Sequence, residues 1–170
     1  MRFEYPHKYY RGGYCLFTFT VGCGLHMLYT SPLQTHWKLV FLAVFTALFF
    51  SVRNFYLRSI RFLKSYSITV DSEGLEGLFR GQPYRYEKNQ IRSIYYTREV
   101  VRFKLFHVIH IFTRDGGHLY FSNEILGFKR LRHLLLKSYP HLSYQVEHLL
   151  TDLTDPGEEQ LYLAYLRNKD

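Results

Sequence analysis

The sequence predicts an α+β membrane protein: a two-helix transmembrane hairpin, an antiparallel β domain closed by an amphipathic helix, and a short helical tail. Three observations predict this class. Two apolar runs lie near the N-terminus, short β-branched and aromatic segments follow from Ser65, and a cationic amphipathic stretch ends at Pro140. With 47% hydrophobic and 19% aromatic residues, the 170-residue chain is not a disordered protein. The expected divisions are 1–64, 65–140 and 141–170.

Both apolar runs have the composition of membrane-spanning helices. The first, 13–30, contains no Asp, Glu, Lys or Arg, and the second, 37–52, contains one charged residue, Lys38, near its end. Each is close to the ~17–25 residues that span a bilayer, and each is apolar on all sides, which suits a helix surrounded by lipid. Aromatic residues that favour the headgroup level stand at their ends: Tyr14, Tyr29 and Trp37. A soluble helical core is the alternative.

The flanking charges predict how the hairpin is oriented. The connection between the runs is uncharged, and cations lie on the outer sides: Arg2, Lys8 and Arg11 before the first run, and Arg53, Arg58, Arg61 and Lys64 after the second. Because cytoplasmic loops carry an excess of Lys and Arg, both termini are expected in the cytoplasm, with two passes of the membrane. The second group of cations is expected on a basic juxtamembrane helix that contacts anionic headgroups of the inner leaflet. A connector whose charges only set the topology is the alternative.

Small residues inside the runs predict close packing of the two helices. Their spacing suits a close helix–helix approach in lipid, and the candidates are Gly22, Gly24, Ala43 and Ala47. His26 is the ionisable residue deep in the hairpin, which makes it a possible intramembrane ligand or proton relay. The competing interpretation is a neutral, hydrogen-bonded imidazole.

Cys15 and Cys23 are the two cysteines, and both lie inside the first apolar run. They provide neither a disulfide framework nor a Cys-rich metal site. They are expected to act as small apolar residues.

From Ser65 onward the sequence predicts seven short strands. The segments are 66–70, 75–80, 83–87, 91–96, 100–106, 107–113 and 118–122. The strongest local signal is "TRDGGH", which predicts a tight hairpin between the last two strands because Asp115 and Gly116 suit positive φ.

Residues 123–139, "NEILGFKRLRHLLLKSY", predict an amphipathic helix capped by Asn123 and ended by Pro140. Its apolar stripe is Phe128, Leu131, Leu134 and Leu135. Its basic face is Lys129, Arg130, Arg132 and Lys137.

The order of these parts resembles the bacterial pleckstrin-homology-like membrane proteins. The resemblance rests on "SYSITVDSEGLEGLFRG", "YEKNQIRSIYY" and "IHIFTRDGGHLYFSNEILGFKRLRHLLLKSY", after a two-helix hairpin, and covers about residues 14–140. It implies a partly open β-barrel of two nearly orthogonal sheets capped by the helix, and it implies binding or scaffolding. Phosphoinositide-binding members of the wider fold carry a basic loop between the first two strands. Here that loop is "DSEG", so phosphoinositide recognition is not expected there.

No catalytic motif is present: the chain has no phosphate loop, no Gly-x-Ser-x-Gly elbow and no His-Glu-x-x-His helix. His107 and His110 are three apart, so on one strand they point to opposite faces and are expected to be ordinary strand residues. His118 and Asp115 could form a small polar cluster near the hairpin turn. The chain is therefore expected to be non-enzymatic, without a cofactor or bound metal.

The last 30 residues differ from the rest in charge. Residues 1–140 carry a net charge of +12 and residues 141–170 a net charge of −4. Two short helices are expected here, over 141–153 and from Asp155, with Asp155 as N-cap and Pro156 at the first position. The stripe Leu161, Tyr162, Tyr165 and Leu166 is expected to pack either on the chain's own domain or on a partner. The acidic tail could also shield the basic helix face.

These expectations favour a non-catalytic, inner-membrane-anchored interaction or scaffold protein that presents a cytoplasmic domain to a protein partner. The alternative is an accessory subunit of a larger membrane complex. A membrane enzyme or transporter is less favoured, because a proton or substrate path needs more polar residues than His26. Nucleic-acid binding is disfavoured because the cations near the hairpin already have a topological role.

Overall fold

The computed structural model describes residues 1–6, 8–32, 34–101, 103–151 and 156–169. The chain forms two compact units: Met1–Tyr5 with Ser65–Asp170, and Pro6–Lys64. We call the first the globular unit and the second the helix pair. The class α+β is confirmed, since four helices and two sheets are present in the described residues.

The elements follow one another in this order: β1 Arg2–Glu4, α1 Lys8–Thr30, α2 Thr35–Lys64, β2 Ser67–Val70, β3 Gly74–Phe79, β4 Gln82–Glu87, β5 Ile91–Val101, β6 Lys104–Thr113, β7 His118–Ser122, α3 Phe128–Ser138, β8 Ser143–Thr151 and α4 Glu158–Arg167. Short 3-10 turns stand at Lys88–Gln90 and Pro140–Leu142.

The strands form two separate four-stranded sheets and no closed barrel among the described residues. The first sheet is antiparallel in the order β1-β2-β3-β4. Its strands β1 and β2 pair although the helix pair separates them in the sequence. The second has the order β7-β6-β5-β8 and is mixed, because β8 runs parallel to β5 while the other pairs are antiparallel. A parallel neighbour requires a crossover, and the segment containing α3 supplies it.

Both faces of the second sheet are buried. One face joins the first sheet and α3 in the main core, whose fully buried members include Ile68, Ile94, Ile109, Phe121, Leu131 and Leu135. The other face is covered by α4, where a smaller cluster contains Tyr95, Phe112, Val146, Leu161 and Ala164. Because side chains alternate along a strand, β5 supplies both clusters in turn.

The predicted boundary between the strands 100–106 and 107–113 is wrong. The chain reverses between Val101 and Lys104, so that β5 and β6 form one long hairpin with Val101 opposite Lys104. The "TRDGGH" hairpin is confirmed: Thr113 N donates to Gly117 O at 2.9 Å, and Gly116 has a φ of +86°. The positive φ expected at Asp115 is not observed. The hydroxyl of Thr113 and the N–H of Gly117 bind the Asp115 carboxylate and lower its pKa.

The amphipathic helix is confirmed, but it starts later than predicted. Asn123 is not its N-cap; Asn123 exchanges hydrogen bonds with the backbone of His107 instead. The N-cap is Gly127, whose φ of +75° lies in the left-handed region that favours glycine. Leu131 and Leu135 are fully buried as predicted, and Phe128 and Leu134 pack against the same core.

The tail contains a strand where a helix was predicted. Residues 143–151 form β8, because the exposed side of β5 offers backbone partners that a local pattern does not reveal. The second tail helix is present but begins at Glu158 with Gly157 as N-cap, so Pro156 lies before it. The predicted N-cap, Asp155, lies outside the described residues. Leu161 is fully buried, so α4 packs on its own domain.

Replacing Gly74 with alanine is expected to destabilise the globular unit by about 1–3 kcal/mol or more. A Cβ at Gly74 would lie 2.0 Å from the backbone oxygen of Tyr86 on the paired strand, so the backbone itself would have to move. Gly157→Ala is the control: no atom lies within 4 Å of the Cβ it would add, so its cost is limited to a poorer N-cap of α4, about 0.5 kcal/mol. Thermal unfolding of the two variants measures the difference, and equal melting temperatures would contradict the packing described.

Candidate functional site

The two helices of the helix pair contact each other through aromatic side chains. The rings of Tyr14 and Tyr56 stack with centroids 4.4 Å apart, and Tyr14 also meets Phe49 at 6.5 Å. Phe45 faces Gly24, where an added Cβ would lie 3.1 Å from the ring. The contacts near the start of α1 thus use the later part of α2, as in an antiparallel pair.

The small residues predicted at this contact fall on different sides. Gly24 lies at the contact, as the proximity of Phe45 indicates. Gly22 has no neighbour within 4 Å of an added Cβ, and Ala43 and Ala47 are exposed. The aromatic rings therefore determine the spacing, and Gly22, Ala43 and Ala47 belong to the outer surface.

That outer surface is apolar over most of its length. Its exposed large side chains are Leu16, Phe19, Met27, Tyr29, Trp37, Leu39, Val40, Phe41, Leu42, Val44, Leu48 and Phe50. Among the described helices, α2 is long and apolar enough to cross a membrane, and none of its apolar stretch is buried. Scattered exposed apolar residues are normal on a soluble protein, but a continuous surface of this size marks contact with lipid or protein.

Three threonines and one lysine of the helix pair bond to its own backbone. The hydroxyls of Thr18 and Thr20 donate to the backbone oxygens four residues earlier, at 2.9 and 3.0 Å, and that of Thr30 donates to His26 O. Lys38 donates to Tyr29 O near the end of α1, where a cation complements unpaired carbonyls. Internal partnering of this kind suits a low-dielectric surrounding.

The last turns of α2 carry the four predicted cations on one side. Arg53, Arg58, Arg61 and Lys64 are all exposed, and none forms an ion pair with a described carboxylate. At 3.6 residues per turn they occupy an arc of about 140°. Exposed Phe55 and Phe62, seven residues apart, border that arc. A cationic face beside aromatic rings has the chemistry of a headgroup-contacting surface.

His26 and the two cysteines lie on the exposed surface of the helix pair. Within the described residues, no three His, Cys, Asp or Glu side chains gather into a possible metal site. A ligand role for His26 would therefore need a group from another molecule.

The basic face predicted on α3 divides into two parts. Lys129, Arg130 and Lys137 are exposed, whereas the Arg132 guanidinium lies 5.3 Å from the Tyr96 ring centroid and donates to Gln145. Burial raises the pKa of Tyr96 to about 12, against the opposing effects of Ser143 and Arg132.

Beside Tyr96 is an open cavity of about 240 Å³. Arg98, His107, Arg132 and Glu147 contribute to its lining, and Arg98 is held there by a 2.7 Å hydrogen bond to Glu147 O. The cavity has two guanidinium groups on its wall, so it favours an acidic group over a cation.

A second open cavity, of about 440 Å³, lies beside the "DSEG" loop. The backbone N–H groups of Glu73 and Gly74 donate to the Asp71 carboxylate and lower its pKa, and Arg85 pairs with Glu73 at 3.1 Å. Acidic side chains outnumber basic ones on the wall, which is unsuited to an anionic headgroup.

A buried polar cluster lies on the α4 side of the second sheet. His110 is fully buried and Glu99 is 3% exposed, and their Nε2 and Oε1 atoms are 2.6 Å apart. Thr97 donates to the same carboxylate oxygen, and His110 Nδ1 lies 3.0 Å from His118 Nε2. His118 thus lies beside His110, and the Asp115 carboxylate accepts from Thr113 and Gly117. Glu99 was not anticipated from the sequence; the signal was its i, i+2 spacing from Thr97 on one strand.

Comparison with known proteins found no match: no family model, no curated protein and no solved structure matches the chain. The class defined by the described residues is an α+β protein with a separate helix pair, one helix of which could cross a membrane.

Proposed function

We propose that the protein is a non-catalytic module anchored in the bacterial inner membrane, which presents its globular unit to a protein partner in the cytoplasm. The observation that carries the proposal is the exposed apolar surface of the helix pair, followed directly by four exposed cations. Exposing such an apolar surface to water is unfavourable, whereas a bilayer with anionic headgroups surrounds the apolar surface with lipid and attracts the four cations.

The lengths of the helices fit this arrangement. With a rise of 1.5 Å per residue, α1 is about 35 Å long and α2 about 45 Å. A hydrocarbon core is about 30 Å thick, so α2 exceeds it by about ten residues. The excess corresponds to the cationic segment, Arg53 to Lys64, which would then reach the headgroups.

The proposal includes two passes. Thr30 ends α1 and Thr35 begins α2, and the helices pack side by side, so the medium around one also surrounds the other. Exposed Leu16, Phe19 and Met27 give α1 its own apolar surface. The cations on the outer sides of the pair support cytoplasmic termini.

For the globular unit we propose a pleckstrin-homology-like role in binding, supported by two sheets that share a core with an amphipathic helix. The surface offered to a partner is the exposed basic part of α3, Lys129, Arg130 and Lys137, with the neighbouring cavity. These cations suit an acidic protein segment.

An accessory subunit of a larger membrane complex is the second candidate. Gly22, Ala43 and Ala47 favour it, because they lie on the outer surface of the helix pair, where small residues let another transmembrane helix approach closely. Purification in mild detergent followed by mass measurement distinguishes the two, since an accessory subunit co-purifies in fixed stoichiometry with other membrane proteins.

The anchoring is tested by extracting membranes of expressing cells with alkaline carbonate. The native chain is expected to remain in the pellet. Val44→Arg lowers that fraction, because Val44 is exposed at the middle of the apolar stretch and an arginine at a helix centre costs about 2.5–3.5 kcal/mol of insertion free energy.

Val44→Ala is the matched control and is expected to remain in the pellet. A C-terminal reporter that is active only in the cytoplasm checks the orientation. Release of the native chain as a monodisperse protein in buffer without detergent would refute the proposal.

A further inference from the structure

The β5–β6 hairpin ends in a fully exposed phenylalanine. Phe103 stands between Val101, which ends β5, and Lys104, which begins β6, and its side chain is as accessible as that of a residue with no neighbours. Leu105, two residues on, is 48% exposed. The tip therefore offers two apolar side chains to the surroundings.

The backbone at this point is unusual as well. Phe103 has a φ of +64°, in the left-handed region that glycine or asparagine normally fills and that is rare for a bulky residue. The strained backbone at Phe103 and the exposure of its ring to water do not stabilise the globular unit. Such an unfavourable arrangement points to a role outside it.

The neighbours of Phe103 are cationic. Arg102 precedes it in the sequence and Lys104 follows it. The Lys104 ammonium lies 4.8 Å from the centroid of the Phe106 ring and pairs with Glu124. In the sequence Phe103 is therefore flanked by two cationic residues, a composition that suits a membrane interface, where an aromatic ring enters the acyl boundary and cations meet phosphates.

The size of the tip decides between lipid and protein as its occupant. A stable protein interface buries about 800 Å² on each partner. A phenylalanine side chain contributes about 150–250 Å², and one half-exposed leucine adds less. The tip is therefore too small to serve as a protein-docking surface by itself, whereas a single ring is sufficient for a shallow contact with a bilayer.

We propose that the β5–β6 tip is a second membrane contact, in which Phe103 inserts into the interfacial region of an anionic bilayer. The proposal rests on the anchoring proposed above, because the helix pair would hold the globular unit near the membrane. It adds a contact that the helix pair does not supply.

Tryptophan fluorescence of the full-length protein in vesicles tests this contact. The chain has one tryptophan, Trp37, so the native protein reports on the helix pair and W37F/F103W reports on the tip. W37F/Y162W is the control, since Tyr162 is 48% exposed on α4 of the globular unit. Each protein is placed in vesicles of phosphatidylcholine and phosphatidylglycerol, with and without bromine on the upper acyl chain.

An interfacial ring lies about 5–10 Å into the headgroup and acyl boundary, so brominated lipid is expected to quench the tryptophan at position 103 by roughly twofold. The tryptophan at position 162 is expected to remain unquenched. Vesicles of phosphatidylcholine alone should weaken the quenching at 103, because the cations then lose their anionic partners.

The outcomes separate this inference from the anchoring. If Trp37 is quenched and position 103 is not, the anchoring stands and the tip proposal is overturned; a blue shift at 103 without quenching would assign the tip to a protein or a second copy. Equal quenching at 103 and 162 also overturns a specific tip. If Trp37 is not quenched either, the anchoring itself fails.

Phe103→Gly checks that the ring has no role in folding. Glycine relieves the positive φ, so the melting temperature of this variant is expected to equal or exceed that of the native chain. A lower melting temperature would mean that the ring stabilises the fold, and the proposal would be withdrawn.

Discussion

A chain that ends after Leu142 is expected to lose the cooperative unfolding of its globular unit. The truncation removes β8, which pairs with β5 along most of that strand, and α4, which covers Tyr95 and Phe112. Val146 and Leu161, both buried, leave with them. Each such side chain contributes about 1.5–3 kcal/mol of burial free energy. Their loss, with newly exposed partners, consumes much of a domain's stability of about 5–15 kcal/mol.

Near-ultraviolet circular dichroism and thermal melting of the truncated chain in detergent measure the effect. Two point variants separate lost packing from lost length. Leu161→Ala is expected to cost about 2–5 kcal/mol because Leu161 is fully buried. Leu163→Ala is the control, with a cost within about 0.5 kcal/mol, since Leu163 is 47% exposed. A truncated chain that melts like the native one would contradict the described packing.

This prediction replaces the idea that an acidic tail shields the basic helix until a partner displaces it. Residues 143–151 are a strand of the second sheet and Leu161 is part of a core cluster, so displacing this segment would open the domain. Stronger binding of the truncated chain to anionic vesicles would reflect unfolding and could not be assigned to an exposed α3.

Replacing Glu99 with alanine is expected to lower the free energy of unfolding by about 1–3 kcal/mol, the usual cost of leaving buried polar groups without their hydrogen-bond partner. The change leaves His110, fully buried, without its partner at 2.6 Å, and leaves the Thr97 hydroxyl without its acceptor. Denaturant unfolding monitored by circular dichroism measures the loss.

The matched control is Glu124→Ala. Glu124 pairs with Lys104, but its side chain is 46% exposed, and an exposed pair contributes about 0–1 kcal/mol. Glu99→Gln retains an acceptor oxygen and should fall between the two. If Glu99→Ala and Glu124→Ala lower the free energy of unfolding equally, the contact of Glu99 with His110 contributes no more to stability than an exposed ion pair.

Features with a strong local cause were predictable from the sequence. The "TRDGGH" turn contains a glycine that the observed φ at Gly116 favours, and the apolar stripe of α3 points into the core at Leu131 and Leu135. In both cases the side chains within a few residues determine the conformation.

Features that depend on distant partners were missed. The β5–β6 turn has no Gly, Pro, Asn or Asp between Val101 and Lys104, so nothing local separates the two strands. Strand β8 exists because β5 has an unpaired side, and the segment's own pattern does not specify a parallel neighbour. Strand β1, three residues long, has too few residues for a pattern.

The candidate sites divide in the same way. The exposure of the α2 cations follows from their charge and could be predicted. The partners of Gly22, Ala43 and Ala47 could not, because spacing identifies a helix face but not what lies against it. The pairing of Glu99 with His110 depends on the register of β5 and β6, which is set by the whole hairpin.

The pairing of β1 with β2 has a consequence for biosynthesis. Phe3 pairs with Ile68, so β1 is synthesised before its partner β2, which follows the whole of α1 and α2 in the sequence. Both helices have therefore met their surroundings before the sheet can close. In the membrane-anchored protein proposed above, the helices would insert before the sheet closes, and a chain whose helices fail to insert would expose β1 and the unpaired edge of β2 to quality-control proteases together.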